Sequence, residues 1–239
     1  MQITQIMDRL QACSIPGDEG KARQLLRYHE MLLDWNTRMD LTAVTEEEDM
    51  LDRHYIDSLM ILTSPEYLPE HTSLLDVGTG AGLPGLPLAI FRPDLQVTLM
   101  DAQMKRLRFL EAVIQELHLV NVRTRHARAE DAGHDKEMRE SFHTACARAV
   151  APLPVLAEYM LPLVRTGGFC LCWKGPSATE EEEKGRRAAH LLGGHLLPLI
   201  PCPIPGRDWQ HMLAVIRKER PCPRAYPRRA GTPSRVPLV

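Results

Sequence analysis

The chain of 239 residues is long enough for one sizeable domain with an appendage, and its 44% hydrophobic and 25% charged content is that of an ordinary globular protein. The net charge of -2 hides an asymmetry: Met1–Glu70 holds six Lys/Arg against fourteen Asp/Glu, whereas Arg217–Arg235 holds seven against Glu219 alone, which points to a polyanionic partner or to a solvated tail. No apolar run reaches bilayer length, the amphipathic start "MQITQIMDRLQACSIPGDEG" is not a signal peptide, and six scattered cysteines form no metal-spaced set, so the expectation is a cytoplasmic protein with reduced thiols, no membrane contact and no metal.

Residues 18–62 carry helical patterning. In "ARQLLRYHEMLLDWN", Leu25, Leu26, Tyr28, Leu32, Leu33 and Trp35 recur at helical spacing, and Thr45 before three glutamates reads as the N-cap of a second helix, "EEEDMLDRHYIDSLMIL". Pro65 and Pro69 end that pattern. The period then changes. "SLLDVG", "LQVTLMDA", "VRTRHARAE", "SFHTACARAV", "GGFCLCWKG" and "HMLAVIRKE" read as strands, the third with edge character. Between them "GLPLAIFRP", "KRLRFLEAVIQELHL", "LPVLAEYMLPLV" and "EEEEKGRRAAHLL" read as helices. Alternation of this kind implies an α/β fold with a mostly parallel, doubly wound sheet. The expected organisation is a helical extension over 1–68, a core over 69–219 and a basic Pro/Arg-rich tail over 220–239 that forms no regular element by itself.

"LLDVGTGAGLPG" (74–85) follows the first strand of that core. "GAGLPG" satisfies the dinucleotide pattern G-x-G-x-x-G, and Asp101 at the end of the next strand can accept both hydroxyls of a ribose. Gly78 and Gly80 let the backbone pass close to a ligand. S-adenosylmethionine and a nicotinamide dinucleotide share all of these requirements. Asp76 favours the first, because a carboxylate there repels a pyrophosphate and tolerates a sulfonium. Pro84 suits the first turn of the following helix. An NAD-dependent oxidoreductase remains the alternative on these residues.

Further motifs follow in order: "RHYIDS", "LLDVGTGAGLPGLPLAI", "HARAED", "CARAVAPL" and "WKG". With them the chain closely resembles the bacterial small-subunit ribosomal RNA 7-methylguanine methyltransferases, also called glucose-inhibited division protein B. The likeness runs from the helical leader to "YPRRAGTPSRVPL". It implies a Rossmann-like class I methyltransferase fold and methyl transfer from S-adenosylmethionine to N7 of one guanine in 16S ribosomal RNA, in contact with the small ribosomal subunit, by a monomer. The cofactor contacts it implies fall on Gly78, Leu83, Ala129, Glu130 and Arg148, with Asp101 at the ribose and Ala129–Glu130 beside the adenine. Arg148 and Lys174 match basic residues near the active site. Arg53, His54, Asp57 and Ser58 match "RH-x-x-DS", which brings the leader to the cleft rim. One departure is visible: Asp40 stands where the family usually has Asn, and it reads as a loop or capping residue.

Guanine N7 has an in-plane lone pair and no proton, so no general base is needed and catalysis is mainly alignment in a dry site. Neither an N-P-P-[YF] motif nor a placed cysteine nucleophile is present; the two "PCP" stretches read as loops. Arg148 and Lys174 are expected to hold a phosphate, the O6 edge or the cofactor carboxylate. RNA contact is expected from Arg53, His54, Arg123, Arg228 and Arg229, with Tyr226 able to stack on a base. A non-catalytic RNA-binding module with a vestigial pocket is the third reading.

Overall fold

The strand–helix alternation expected beyond residue 72 is present in the computed structural model, which describes residues 1–238. The leader holds α1 (Ile3–Ala12), α2 (Glu19–Asn36) and α3 (Glu47–Met50); α3 runs into a π-helical turn at Leu51–Ile56 and then α4 (Asp57–Leu59). Asp18 caps α2 by accepting from the Lys21 N–H, and Leu25, Tyr28 and Leu32 are buried at helical spacing. Thr45 does not cap α3. Glu46 holds that position, without a side-chain bond.

Downstream lie β1 (Ser73–Val77), α5 (Gly85–Phe91), β2 (Gln96–Asp101), α6 (Met104–Glu116), β3 (Val122–His126), α7 (Ala129–Ala132) and β4 (Phe142–Arg148). They are followed by α8 (Leu153–Met160), β5 (Val164–Lys174), α9 (Ala178–Leu191), β6 (Gly194–Leu196), β7 (Ile200–Pro201), β8 (Met212–Lys218) and α10 (Thr232–Arg235). The sheet order is β3-β2-β1-β4-β5-β8-β6, with β7 paired to β8. Strands β1 to β5 are parallel and β8 is antiparallel to β5. β3 is the edge strand, as its mixed pattern suggested. The order reverses between β1 and β4, which opens a crevice beyond the carboxyl ends of the strands.

One face of the sheet carries the leader together with α5 and α6. Leu10, Leu25, Tyr28 and Tyr55 share a single apolar cluster with Leu86 and Phe109, so the leader is packed into the core rather than appended to it. The other face carries α8 and α9. The tail is also part of that second layer. Cys222 and Pro233 are buried, Tyr226 packs against the core, and Arg139 donates to the carbonyls of Cys222 and Tyr226 at 2.9 and 2.8 Å. Two backbone carbonyls of the tail ahead of α10 are thus satisfied by the Arg139 side chain.

Candidate active site

The glycine loop is shaped from behind. Asp76 is fully buried, and its Oδ2 accepts from the Thr79 hydroxyl (2.7 Å) and the Gly85 N–H (2.9 Å), tying the two ends of the loop together. Its Oδ1 has no partner, and burial raises the carboxyl to about 6 against the pull of those bonds. A Cβ on Gly85 would lie 2.7 Å from Asp76 Oδ2 and 2.4 Å from Leu99, so only glycine admits this contact. Asp76 therefore holds the turn from behind, and its bonded oxygen is committed to the loop. Pro84 stands at the N-cap of α5, just outside its first turn. Gly78 adopts φ +69° beneath Val150, where a Cβ would meet Cγ2 at 2.9 Å. From the leader, the Tyr28 hydroxyl donates to the Ala81 carbonyl at 2.6 Å, so α2 buttresses the loop directly.

Two cavities lie along the strand ends. The first, about 350 Å³, is bounded by Gly78, Asp101, Ala129, Glu130, Tyr159 and Ser234, within the usual range for small-ligand sites. Asp101 accepts from the N–H groups of Gly80 (3.0 Å) and Gln103 (2.8 Å) and pairs with Arg106 at 3.4 Å. Gly80 thus acts through Asp101 and is not itself on the wall. Leu83, in the glycine loop, is buried in the apolar cluster on the leader side. Glu130 is on the wall, but one of its carboxylate oxygens accepts from the Gly231 N–H at 2.8 Å and so holds the tail.

The second cavity, about 330 Å³, is lined by Arg53, His54, Asp57, Arg148, Trp173, Lys174 and His211. Ala149 borders both cavities and has φ +55°, a costly left-handed conformation for a residue with a side chain. Arg148 lines this second cavity, next to the Ala149 that borders both. Its Nη1 donates to the carbonyls of Arg53 (2.8 Å) and His54 (3.3 Å) and approaches Asp57 Oδ2 at 3.3 Å. Both carbonyls lie in the π-helical turn at Leu51–Ile56, whose Asp57 N–H bonds back to the Asp52 carbonyl five residues earlier. His54 meets the Thr42 hydroxyl at 2.7 Å, and burial together with Arg148 lowers it to about 4, so the ring is neutral near pH 7. Asp57 bridges Arg148 and the Nδ1 of His211 (2.8 Å). The Trp173 indole donates to the Asp57 carbonyl, and Lys174 pairs with Glu181 at 2.7 Å. Arg53 lies 4.2 Å over the Trp209 ring at the rim.

Other expected RNA contacts are placed elsewhere. Arg123 bonds Thr98 toward the amino ends of β1 and β2, beside Ser73 and Gln96, at the opposite end of the strands from both cavities. Arg228 is engaged by Glu158, a fully buried acid of α8, at 2.7 Å. Arg229, Arg128 and Lys105 are exposed. Asp40 is exposed in a loop whose Leu41 and Thr42 N–H groups donate to Asn36. His211, Tyr159 and Ser234 were not expected at the site. Only the insertion of antiparallel β8 beside β5, pairing Lys174 with Met212, brings His211 there. Among the described residues, no group of three or more His, Cys, Asp or Glu could hold a metal ion, and no helix is long and apolar enough to cross a membrane.

A family model described as "rRNA small subunit methyltransferase G" matches residues 21–202. The chain is 44% identical to the ribosomal RNA small subunit methyltransferase G of Alkaliphilus metalliredigens over 98% of this chain and 97% of that protein. It is 40% identical to that of Clostridium perfringens strain 13 over the full length of both. Among solved structures, it is similar to Methanococcus jannaschii TYW2 in complex with AdoMet (TM-score 0.54, 14% identity, 75% of this chain and 79% of that one). It is also similar to a 16S rRNA adenine-N1 methyltransferase of Catenulisporales acidiphilia with cosubstrate SAM (TM-score 0.53, 14% identity, 66% and 90%). These two likenesses show a class I methyltransferase fold.

Proposed function

The chain belongs to the rRNA small subunit methyltransferase G family, and we propose from that premise that it transfers the methyl group of S-adenosylmethionine to N7 of one guanine of 16S ribosomal RNA, as a cytoplasmic monomer acting on the small ribosomal subunit. The observation that carries this reading is the pair of cavities meeting at Ala149, one behind an acid at the end of β2 and the other ringed by cations. S-adenosylmethionine, when bound, supplies an electrophilic methyl group on a sulfonium. The first cavity fits its nucleoside: Asp101 supplies carboxylate oxygens for a ribose, Gly78 lets the backbone approach, and Ala129 and Glu130 lie beyond the edge of β3, on the adenine side.

The second cavity receives the guanine. Arg148 and Asp57 are positioning residues that fix the leader against the strand ends, so the cavity wall is rigid before RNA arrives. His54, neutral and already bonded to Thr42, has no proton to remove from N7 and serves as wall. Lys174 is held at the rim by Glu181 and faces the O6 edge or a phosphate. Arg53, Arg128 and Arg229 extend a basic margin toward the RNA backbone. The nicotinamide alternative falls to family membership and not to Asp76, which is turned away from the crevice. The cellular test is the small subunit from cells with and without this protein. Borohydride reduction and aniline cleavage should reveal one 7-methylguanine in 16S RNA that disappears in its absence; an unchanged cleavage pattern refutes the assignment.

A further inference from the structure

We propose that the C-terminal strap, residues 228–235, is a working wall of the cofactor site, and that it grips the nucleoside end of the ligand. The proposal rests on the reading that S-adenosylmethionine occupies the first cavity. Three latches place the strap there. The backbone N–H and guanidinium of Arg228 both bind Glu158, at 2.8 and 2.7 Å, in an otherwise apolar layer. The Gly231 N–H donates to Glu130 at 2.8 Å, and this needs φ +79°, which glycine adopts without strain. The Ser234 and Tyr159 hydroxyls meet at 2.8 Å. Two of the latching residues, Gly231 and Ser234, border the cavity themselves. Without the strap, the Ala129–Glu130 edge and Tyr159 would face solvent. A purine there would then be desolvated on one face only. The strand ends supply the ribose acceptor, and the strap supplies the cover.

Two substitutions in the full chain test this without touching the Arg228–Glu158 pair. Gly231→Ala strains the latch to Glu130. Ser234→Trp introduces bulk from an exposed position into the cavity wall. Each is titrated calorimetrically with S-adenosylmethionine and with 5′-methylthioadenosine, which keeps the nucleoside and lacks the amino acid, and the unfolding temperature is measured alongside. The expected result is a Kd raised about tenfold or more for both ligands in both variants, with unfolding close to wild type. If one variant unfolds, the other carries the test. Affinities within about twofold of wild type in the folded variants overturn the proposal. A loss seen only in the KM for RNA also overturns it and assigns the strap to RNA instead. A wild-type protein that binds neither ligand removes the underlying reading and the proposal together.

Discussion

Replacing Asp76 by Asn separates two roles that a carboxylate in a glycine loop can play. The amide keeps an oxygen for the Thr79 hydroxyl and the Gly85 N–H and removes the charge. In the fold, burial holds the Asp76 carboxyl at about 6 against an ordinary 3.8. A group whose folded value is raised stabilises most below its unfolded value and loses that contribution as pH rises through the folded one, so the window is about pH 4 to 6. The difference corresponds to up to ~3 kcal/mol, or ~6–12 °C for a chain of this size. Thermal unfolding from pH 3.5 to 7.5 should therefore show the variant gaining on wild type across that window. Calorimetric titration with S-adenosylmethionine and S-adenosylhomocysteine, which differ in the charge on sulfur, should give affinities within about threefold of wild type for both. A selective loss of the sulfonium ligand by more than about tenfold would show that the carboxylate acts on the ligand after all, and parallel stability curves would show that its ionisation is not suppressed.

Three other perturbations probe the supports of the site. Tyr28→Phe leaves the Ala81 carbonyl without its donor and should cost about 2 kcal/mol, read as a fall of ~4–8 °C in Tm, with weaker cofactor binding; an unchanged Tm would mean that the leader does not buttress the loop. His54, lowered to about 4, favours the fold above its ordinary 6.5 and loses that contribution as pH falls toward 4; His54→Gln should flatten the acid limb of stability, seen as a difference from wild type because Asp76 slopes the other way. Arg228→Met strands Glu158 as a buried charge and should cost ~3–5 kcal/mol, whereas Arg228→Met with Glu158→Met should recover more than half; failure of the double variant to recover would point away from a structural pair.

The parallel sheet was legible because its strands are buried and continuous and its helices amphipathic, so both periods survive in the chain. The glycine loop was legible for the same local reason: Gly78 must take a positive φ, and Asp101 ends the next strand. What was not legible depends on contacts distant in sequence. Arg228 reads as an RNA cation until Glu158, 70 residues away, is seen buried against it. Arg123 reads as part of a basic stripe until strand direction puts it at the wrong end of the sheet. The interruption of the α-helix at Leu51–Ile56 leaves no mark in the apolar pattern, yet it is this turn whose Arg53 carbonyl Arg148 reaches. Asp76 shows the limit of a charge argument made without depth: its place at the strand end was legible, and its burial behind the loop was not.

The central claim is tested most directly by incubating the purified protein with S-adenosylmethionine labelled in the methyl group and with small ribosomal subunits from cells that lack it, then digesting the RNA to nucleosides. The account predicts label in 7-methylguanosine alone, mapped to one position of 16S RNA, and strongly reduced with Arg148→Ala. Label in another nucleoside, or none with protein shown to bind the cofactor, would contradict it.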